Sequence, residues 1–203
     1  MKTILTSALV MAMATTVKSN NVINQKPGKE METEKITNTI RTIFAASDAR
    51  NWKTVENSFA KTVTLDYTSM AGGQPAQLSP EAIITAWKQI LPGFESTHHQ
   101  TGQYKVTVTG NSAQAQLRGL ALHYLPNTTG NNVWVVTGSY HVNLVKEGRN
   151  WKVNYFRFNL EKQDGNLNLA NLAKENAEKG ISQSKHKLSA TNKKVTGEFF
   201  CST

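Results

Sequence analysis

The chain has 203 residues, a formal charge of +9 and a pI near 9.7, which is length enough for one good core and too little for two ordinary domains. Its single cysteine, Cys201, excludes an internal disulfide, so the fold must stand on apolar burial alone. The positive charge raises nucleic acid as a partner, but the lysines gather at the ends, at Lys18, Lys26, Lys29 and Lys35 and again at Lys185, Lys187, Lys193 and Lys194. No aromatic interleaving or nucleic-acid motif accompanies them, so nucleic acid is not the expected partner.

In chain order, Lys2 is followed by an apolar run from Ile4 to Ala14 and by the small or polar Thr15, Thr16 and Ser19. This is the build of a secretory signal and is too short to span a bilayer. Residues 1–19 are therefore expected to be a signal peptide, the mature protein periplasmic or secreted without a transmembrane segment, and residues 20–32 a flexible tether. A buried N-terminal helix is the alternative reading. From Thr33, an N-cap with Glu34 in the first turn, Ile36, Ile40, Ile43 and Phe44 fall at helical spacing. Asp48 lies four residues past Phe44 on that apolar face, near the negative end of the helix dipole, so desolvation and dipole both weigh on its carboxylate. Trp52, Val55 and Phe59 mark a second helix, and Val63 to Tyr67 a strand. Ser79-Pro80-Glu81 opens a third helix that carries Ile83, Ile84, Trp87 and Leu91 and ends at Pro92-Gly93.

The period then changes to that of strands: His98 to Thr109, Ser112 to Leu125, Val133 to Val145 and Trp151 to Leu160, joined by short turns. Short turns imply an antiparallel meander, and helices before strands imply α+β with the helices on one face of a curved sheet. A last helix is expected at about Leu167 to Lys179, within 164–180, and the basic remainder, 181–203, as a disordered tail.

Alternation turns Ala113, Ala115, Leu117, Gly119, Ala121 and His123 inward, and likewise Trp134, Val136, Gly138, Tyr140, Val142 and Leu144, leaving His141 outside. The small residues Ala115, Gly119, Ala121 and Gly138 point to a cavity rather than a filled centre. In the last strand Trp151, Val153 and Tyr155 share one parity and Phe156, Phe158 and Leu160 the other, so either a bulge switches faces or both faces are covered. Parity with Tyr104, Val106 and Val108 turns His98 inward, and a bulge would turn His99 inward instead. No His or Cys pair has the spacing of a dedicated metal site, and neither a metal nor a cofactor is expected.

At Asp48-Ala49-Arg50-Asn51-Trp52, at NSFAKTVTLDYTS and at THHQTGQYKV, the chain resembles SnoaL-like proteins of the nuclear-transport-factor-two-like superfamily, and within them the scytalone dehydratase pattern. Gly138-Ser139-Tyr140 and Asn150 to Val153 fit the family's last hairpin, and the resemblance covers about Thr33 to Leu160 within a domain at 33–163. It implies a cone-shaped fold around an apolar pocket, often as a homodimer. It carries the orienting aspartate onto Asp48, the catalytic histidine onto His99 and one of two water-holding tyrosines onto Tyr67. The sequence departs from the pattern at Ser47, at Gly138 and Tyr140, and at Ala121, where His123 is the nearby substitute for the second histidine.

The resulting expectation is a cofactor-independent lyase or isomerase acting on a small apolar or carbonyl-containing molecule. Asp48, His99 and Tyr67 would be its catalytic groups, and His98, His123, Trp52, Trp87, Tyr140 and Phe156 would line the pocket. Its rival is a non-catalytic binding protein of the same fold. The export reading has a direct check: N-terminal sequencing of protein recovered from cells is expected to start between Thr15 and Asn20, and an intact Met1 would refute it.

Overall fold

Ile36, Ile40, Ile43 and Phe44 form one buried face of a helix, as their spacing requires. In this computed structural model, which describes residues 27–180, that helix is α1, Pro27–Asp48. The expected signal peptide, the start of the tether, the tail and Cys201 lie outside the described residues.

Helix α1 begins ahead of the expected cap at Thr33. Proline at a first helical position has no amide proton to leave unpaired, and Glu30 in the first turn suits the positive end of the dipole. Thr33 sits inside the helix, where its Oγ1 donates to the Lys29 carbonyl at 3.0 Å, so residues 27–32 are helix rather than tether. Next comes α2, Trp52–Ser58, capped by the Asn51 side chain, and Phe59 is extended and opens the strand β1, Phe59–Asp66, instead of closing the helix. A single turn α3, Thr68–Ala71, and a short strand β2, Ala76–Leu78, lead to α4, Pro80–Lys88, capped by Ser79. Leu91 falls in a separate 3₁₀ turn, Leu91–Gly93, because Pro92 cannot donate to a continuing helix.

Strands β3, Ser96–Thr109, β4, Ser112–Tyr124, β5, Val133–Glu147, and β6, Asn150–Gly165, form the expected antiparallel meander. The sheet order is β2-β1-β6-β5-β4-β3, and β1 joins β6 in parallel. The result is an α+β fold in which a curved, open sheet wraps the helices into a cone. β6 continues past Leu160 to Gly165, into the segment expected as helix, and the final helix α5 is confined to Leu169–Glu178. No helix among the described residues is long and apolar enough to cross a membrane.

Register shifts decide which faces look inward. Between Gly102 and Lys105, β3 carries one residue more than β4, and Gln103 takes the left-handed φ of 54°. Thr97, His99 and Thr101 are therefore the more buried residues before the bulge, and Tyr104, Val106 and Val108 after it. His98 is exposed. A second shift, where Asn143 faces Tyr155 and Leu144 faces Val153, leaves Asn154 as the extra residue in β6. Trp151 and Val153 are thus buried on the same side as Phe156 and Phe158, and one bulge resolves the parity conflict.

The small residues do not leave the space expected of them at Gly119 and Gly138. A Cβ on Gly119 would lie 2.5 Å from the Tyr140 ring, and one on Gly138 would lie 2.5 Å from the Phe158 ring and 2.3 Å from the Asn159 carbonyl oxygen. The glycines seat neighbouring aromatic rings, as close packing requires.

Leu169 and Ala173 of α5 are fully buried, and a Cβ on Gly93 would stand 1.7 Å from the Ala173 carbonyl oxygen. The 3₁₀ turn and α5 therefore meet backbone to backbone. Gly93→Ala is expected to push α5 off the turn and lower stability by about 1–3 kcal/mol in a denaturant titration. An unchanged midpoint would show that α5 does not dock here.

Candidate active site

Asp48 closes α1 and aims its carboxylate at the first residues of β3. Oδ1 accepts from the Thr97 hydroxyl at 2.8 Å and contacts His99 Nδ1 at 2.7 Å, while Oδ2 accepts the His99 backbone N–H at 2.8 Å. Burial pushes the Asp48 carboxyl up, but the His99 ring, its backbone amide and Thr97 outweigh that and hold it below the ordinary 3.8. An ionised carboxylate can only accept, so Nδ1 carries an imidazole proton, and in the neutral ring Nε2 is then the nitrogen with the lone pair. The Nε2 atom has no hydrogen-bond partner among the described residues. The Asp48 and His99 side chains are 17% and 15% exposed, so the pair lies near the surface of the cone without being open to bulk water.

Behind Asp48, the chain turns sharply at Arg50, whose φ of 57° folds the side chain back over the end of α1. Its Nη1 donates to the Ser47 carbonyl at 2.7 Å and to Thr97 Oγ1 at 2.9 Å, and its Nη2 donates to the Leu91 carbonyl at 2.5 Å. The cation thus offsets the negative helix end beside Asp48. Neither Arg50 nor Thr97 was assigned a role by spacing, although both stand inside the segments that carry the family resemblance. The missing signal was three-dimensional, since residues 50 and 97 meet only when β3 lies along the end of α1.

A continuous set of rings surrounds the pair. The His99 ring lies 5.9 Å from that of His123 and 5.5 Å from Phe44, Phe44 lies 5.0 Å from Tyr140, and Tyr140 lies 5.4 Å from Phe156. Tyr67, the N-cap residue of α3, stacks on Phe156 at 6.3 Å. Burial raises the Tyr67 and Tyr140 phenols, which stay protonated donors, and neither hydroxyl has a side-chain partner among the described residues. Asp66 holds the turn by accepting the Thr68 N–H and hydroxyl, and Ser69 joins α3 to β6 through the Phe158 carbonyl and the Leu160 N–H.

Of the expected site residues, the fold brings Asp48, His99, His123, Tyr140, Phe156 and Tyr67 together. His98 points away. Trp87 packs edge-on against Phe59 at 6.1 Å, one ring further from the pair, and Trp52 lies under the Lys88 ammonium at 5.8 Å. Ala121 is buried, and His123 follows on the same face of β4. Two open grooves of ≈ 510 and ≈ 480 Å³ lie elsewhere: one at Lys35, Asn38 and Trp151, the other at Gln116, His141 and Tyr155 on the outer sheet face.

His123 is 6% exposed, stacked on Trp134 at 4.5 Å and set against Phe94 at 4.8 Å, with Nδ1 donating to the Trp134 carbonyl at 3.3 Å. Burial pushes it down to about 4, the His99 ring adding to the effect and Asp48 opposing it, so it is neutral at neutral pH. The unfolded chain therefore binds a proton between about 6.5 and 4 that the folded chain refuses, and stability falls as pH drops through that window. The full loss is about 3 kcal/mol. Asp48, held low, loses its contribution only at still lower pH. His123→Gln is expected to flatten the decline in denaturant midpoint between pH 7.5 and pH 5, and equal losses in both chains would refute a neutral buried His123.

No curated protein matches the chain in sequence. Among solved structures, the protein Kfla4162 from Kribbella flavida is 20% identical with a TM-score of 0.64, covering 71% of this chain and 98% of its own. A provisionally named scytalone dehydratase from Novosphingobium aromaticivorans is 15% identical with a TM-score of 0.61, covering 70% and 92%. A hexachlorocyclohexane dehydrochlorinase, LinA type 2, is 12% identical with a TM-score of 0.58, covering 68% and 90%. At these identities the likeness is one of fold. The model of the SnoaL-like domain matches residues 31–157, more than half of the sequence, from within α1 through the Asp48–His99 pair to Phe156 of the aromatic wall, and the chain belongs to that family.

Proposed function

We propose that the protein binds a small, mostly apolar molecule against the wall of Phe44, Tyr140 and Phe156 and removes a proton from a carbon beside an electron-withdrawing group. It does so as a cofactor-independent lyase or isomerase. The observation that carries this reading is the 2.7 Å contact between His99 Nδ1 and Asp48 Oδ1, with the carboxylate held by two further donors. Such a carboxylate fixes the tautomer, leaves Nε2 as the base and stabilises the imidazolium that forms. The same imidazolium can return its proton to a departing group or to another carbon, which gives elimination or isomerisation without a change in the pair. Tyr67 supplies a neutral phenolic donor suited to a carbonyl oxygen as charge builds on it. Neutral His123, beside His99, supplies a polar wall group without adding a second cation. The names of two fold neighbours, a dehydratase and a dehydrochlorinase, describe eliminations, which is the chemistry such a pair suits. The apolar run Ile4–Ala14 supports placing this activity outside the cytoplasm.

One observation favours the rival reading of a binding protein without turnover. Ser47, which stands where the family pattern has a second tyrosine, spends its hydroxyl on the Ile43 carbonyl at 2.7 Å and offers the site nothing.

Deuterium exchange at the acidic C–H of cyclic β-hydroxy ketones, followed by NMR, tests proton abstraction without the natural substrate being known. The wild-type chain is expected to catalyse exchange or loss of water, and Asp48→Asn to keep the fold and the ligand affinity while losing about 10²–10⁴-fold in rate. Binding without exchange in the wild type, or undiminished exchange in Asp48→Asn, would overturn the acid–base role.

A further inference from the structure

We propose that Arg50 and Thr97 are positioning residues of the Asp48–His99 pair: the guanidinium, acting through the Thr97 hydroxyl, fixes Asp48 as the anionic acceptor of the Nδ1 proton and thereby fixes Nε2 as the site's base. The inference rests on the reading of His99 as that base, and it adds what keeps the carboxylate ionised, the condition on which the direction of the pair's hydrogen bond depends.

The direction follows from the donor inventory. A guanidinium has donors and no acceptor, so at 2.9 Å the Thr97 oxygen must accept from Arg50 Nη1. The hydroxyl proton is then turned away from Arg50, and the acceptor it meets at 2.8 Å is Asp48 Oδ1. Without Arg50, the Thr97 hydroxyl could rotate and accept a proton from a neutral Asp48 carboxyl. With Arg50 in place, a Thr97 oxygen that also accepted from a neutral Asp48 carboxyl would leave its own proton without an acceptor among the described residues, whereas the anionic carboxylate takes that proton. The same Oδ1 is the atom that faces His99 Nδ1, so the order Arg50 to Thr97 to Asp48 determines which imidazole nitrogen holds the proton.

The guanidinium is also held where it must be. Its Nη2 is bonded to the Leu91 carbonyl and its Nη1 to the Ser47 carbonyl, and the left-handed backbone at Arg50 brings the side chain back across the helix end. A helix cap alone would explain the bond to Ser47. It would not explain why the cap reaches the one hydroxyl that touches the carboxylate. Lysine would keep the charge and lose the fork, since a single ammonium cannot span Ser47, Thr97 and Leu91 in one plane.

The test reads the pair directly. In the isotopically labelled full-length chain, ¹⁵N shifts of His99 report which nitrogen is protonated, and the ¹³C shift of the Asp48 carboxyl reports its titration. In the neutral ring the wild type is expected to show Nδ1–H and a bare Nε2, and the opposite tautomer would overturn the proposal without any variant. Thr97→Val, which keeps shape and removes the hydroxyl, is expected to raise the Asp48 titration midpoint and reduce the Nδ1–H fraction, and Thr97→Ser to restore both. Arg50→Lys is expected to move both readouts in the same direction as Thr97→Val. Folded Thr97→Val and Arg50→Lys chains with wild-type tautomer and titration would reduce the two residues to structural roles. Exchange rates separate this outcome from failure of the acid–base reading. A loss of roughly 10-fold in Thr97→Val supports positioning of a working base. Altered spectra with no effect on exchange leave the relay standing and remove its catalytic purpose.

Discussion

The Asp48 carboxylate is the constraint on which the rest of the site depends. It is carried to the end of an apolar helix face by the same spacing that buries Ile36, Ile40 and Phe44, and both desolvation and the helix dipole oppose its charge. The start of β3 answers with three contacts, two from His99 and one from Thr97, and Arg50 covers the helix end. A half-buried anion with both oxygens satisfied is a rigid acceptor, and a rigid acceptor is what an imidazole needs to act as a base of fixed tautomer.

That answer depends on the path of β3. The bulge at Gln103 lets one strand turn His99 toward α1 at its start and Tyr104, Val106 and Val108 toward the core further on. A strand of unbroken parity would give up one or the other. The bulge at Asn154 does the same for β6, keeping Trp151 and Val153 inside while Phe156 and Phe158 extend the aromatic wall. Bulges here place side chains that alternation alone would set on opposite faces.

The wall also shows how the fold trades volume between strands. Glycines at 119 and 138 admit the rings of Tyr140 and Phe158, so the small residues give space to aromatic neighbours, and the Phe158 ring in turn packs against Tyr67 and Tyr140. Tyr67 is held by the turn that Asp66 caps and Ser69 ties to β6, which explains why an Asp-Tyr-x-Ser stretch belongs together. His123, desolvated among Phe94 and Trp134, stays neutral beside the pair.

Periodicity in the sequence determined the α+β class, the meander, the buried face of α1 and the inward turn of His123, because burial of apolar side chains obeys local spacing. The motifs around Asp48, Tyr67 and His99 made the family legible. Spacing by itself turned the wrong histidine inward, because a bulge costs only one residue and Gln103 carries no glycine signal of its left-handed backbone. It started α1 at Thr33, because a good cap residue can also sit inside a helix. It read the glycines as a cavity, because what fills a gap belongs to another strand. The Arg50–Thr97–Asp48 chain was decided by tertiary structure alone: Thr97 lies 47 residues from Arg50 and 49 from Asp48, and a hydrogen bond acquires its direction only when donor and acceptor are within reach.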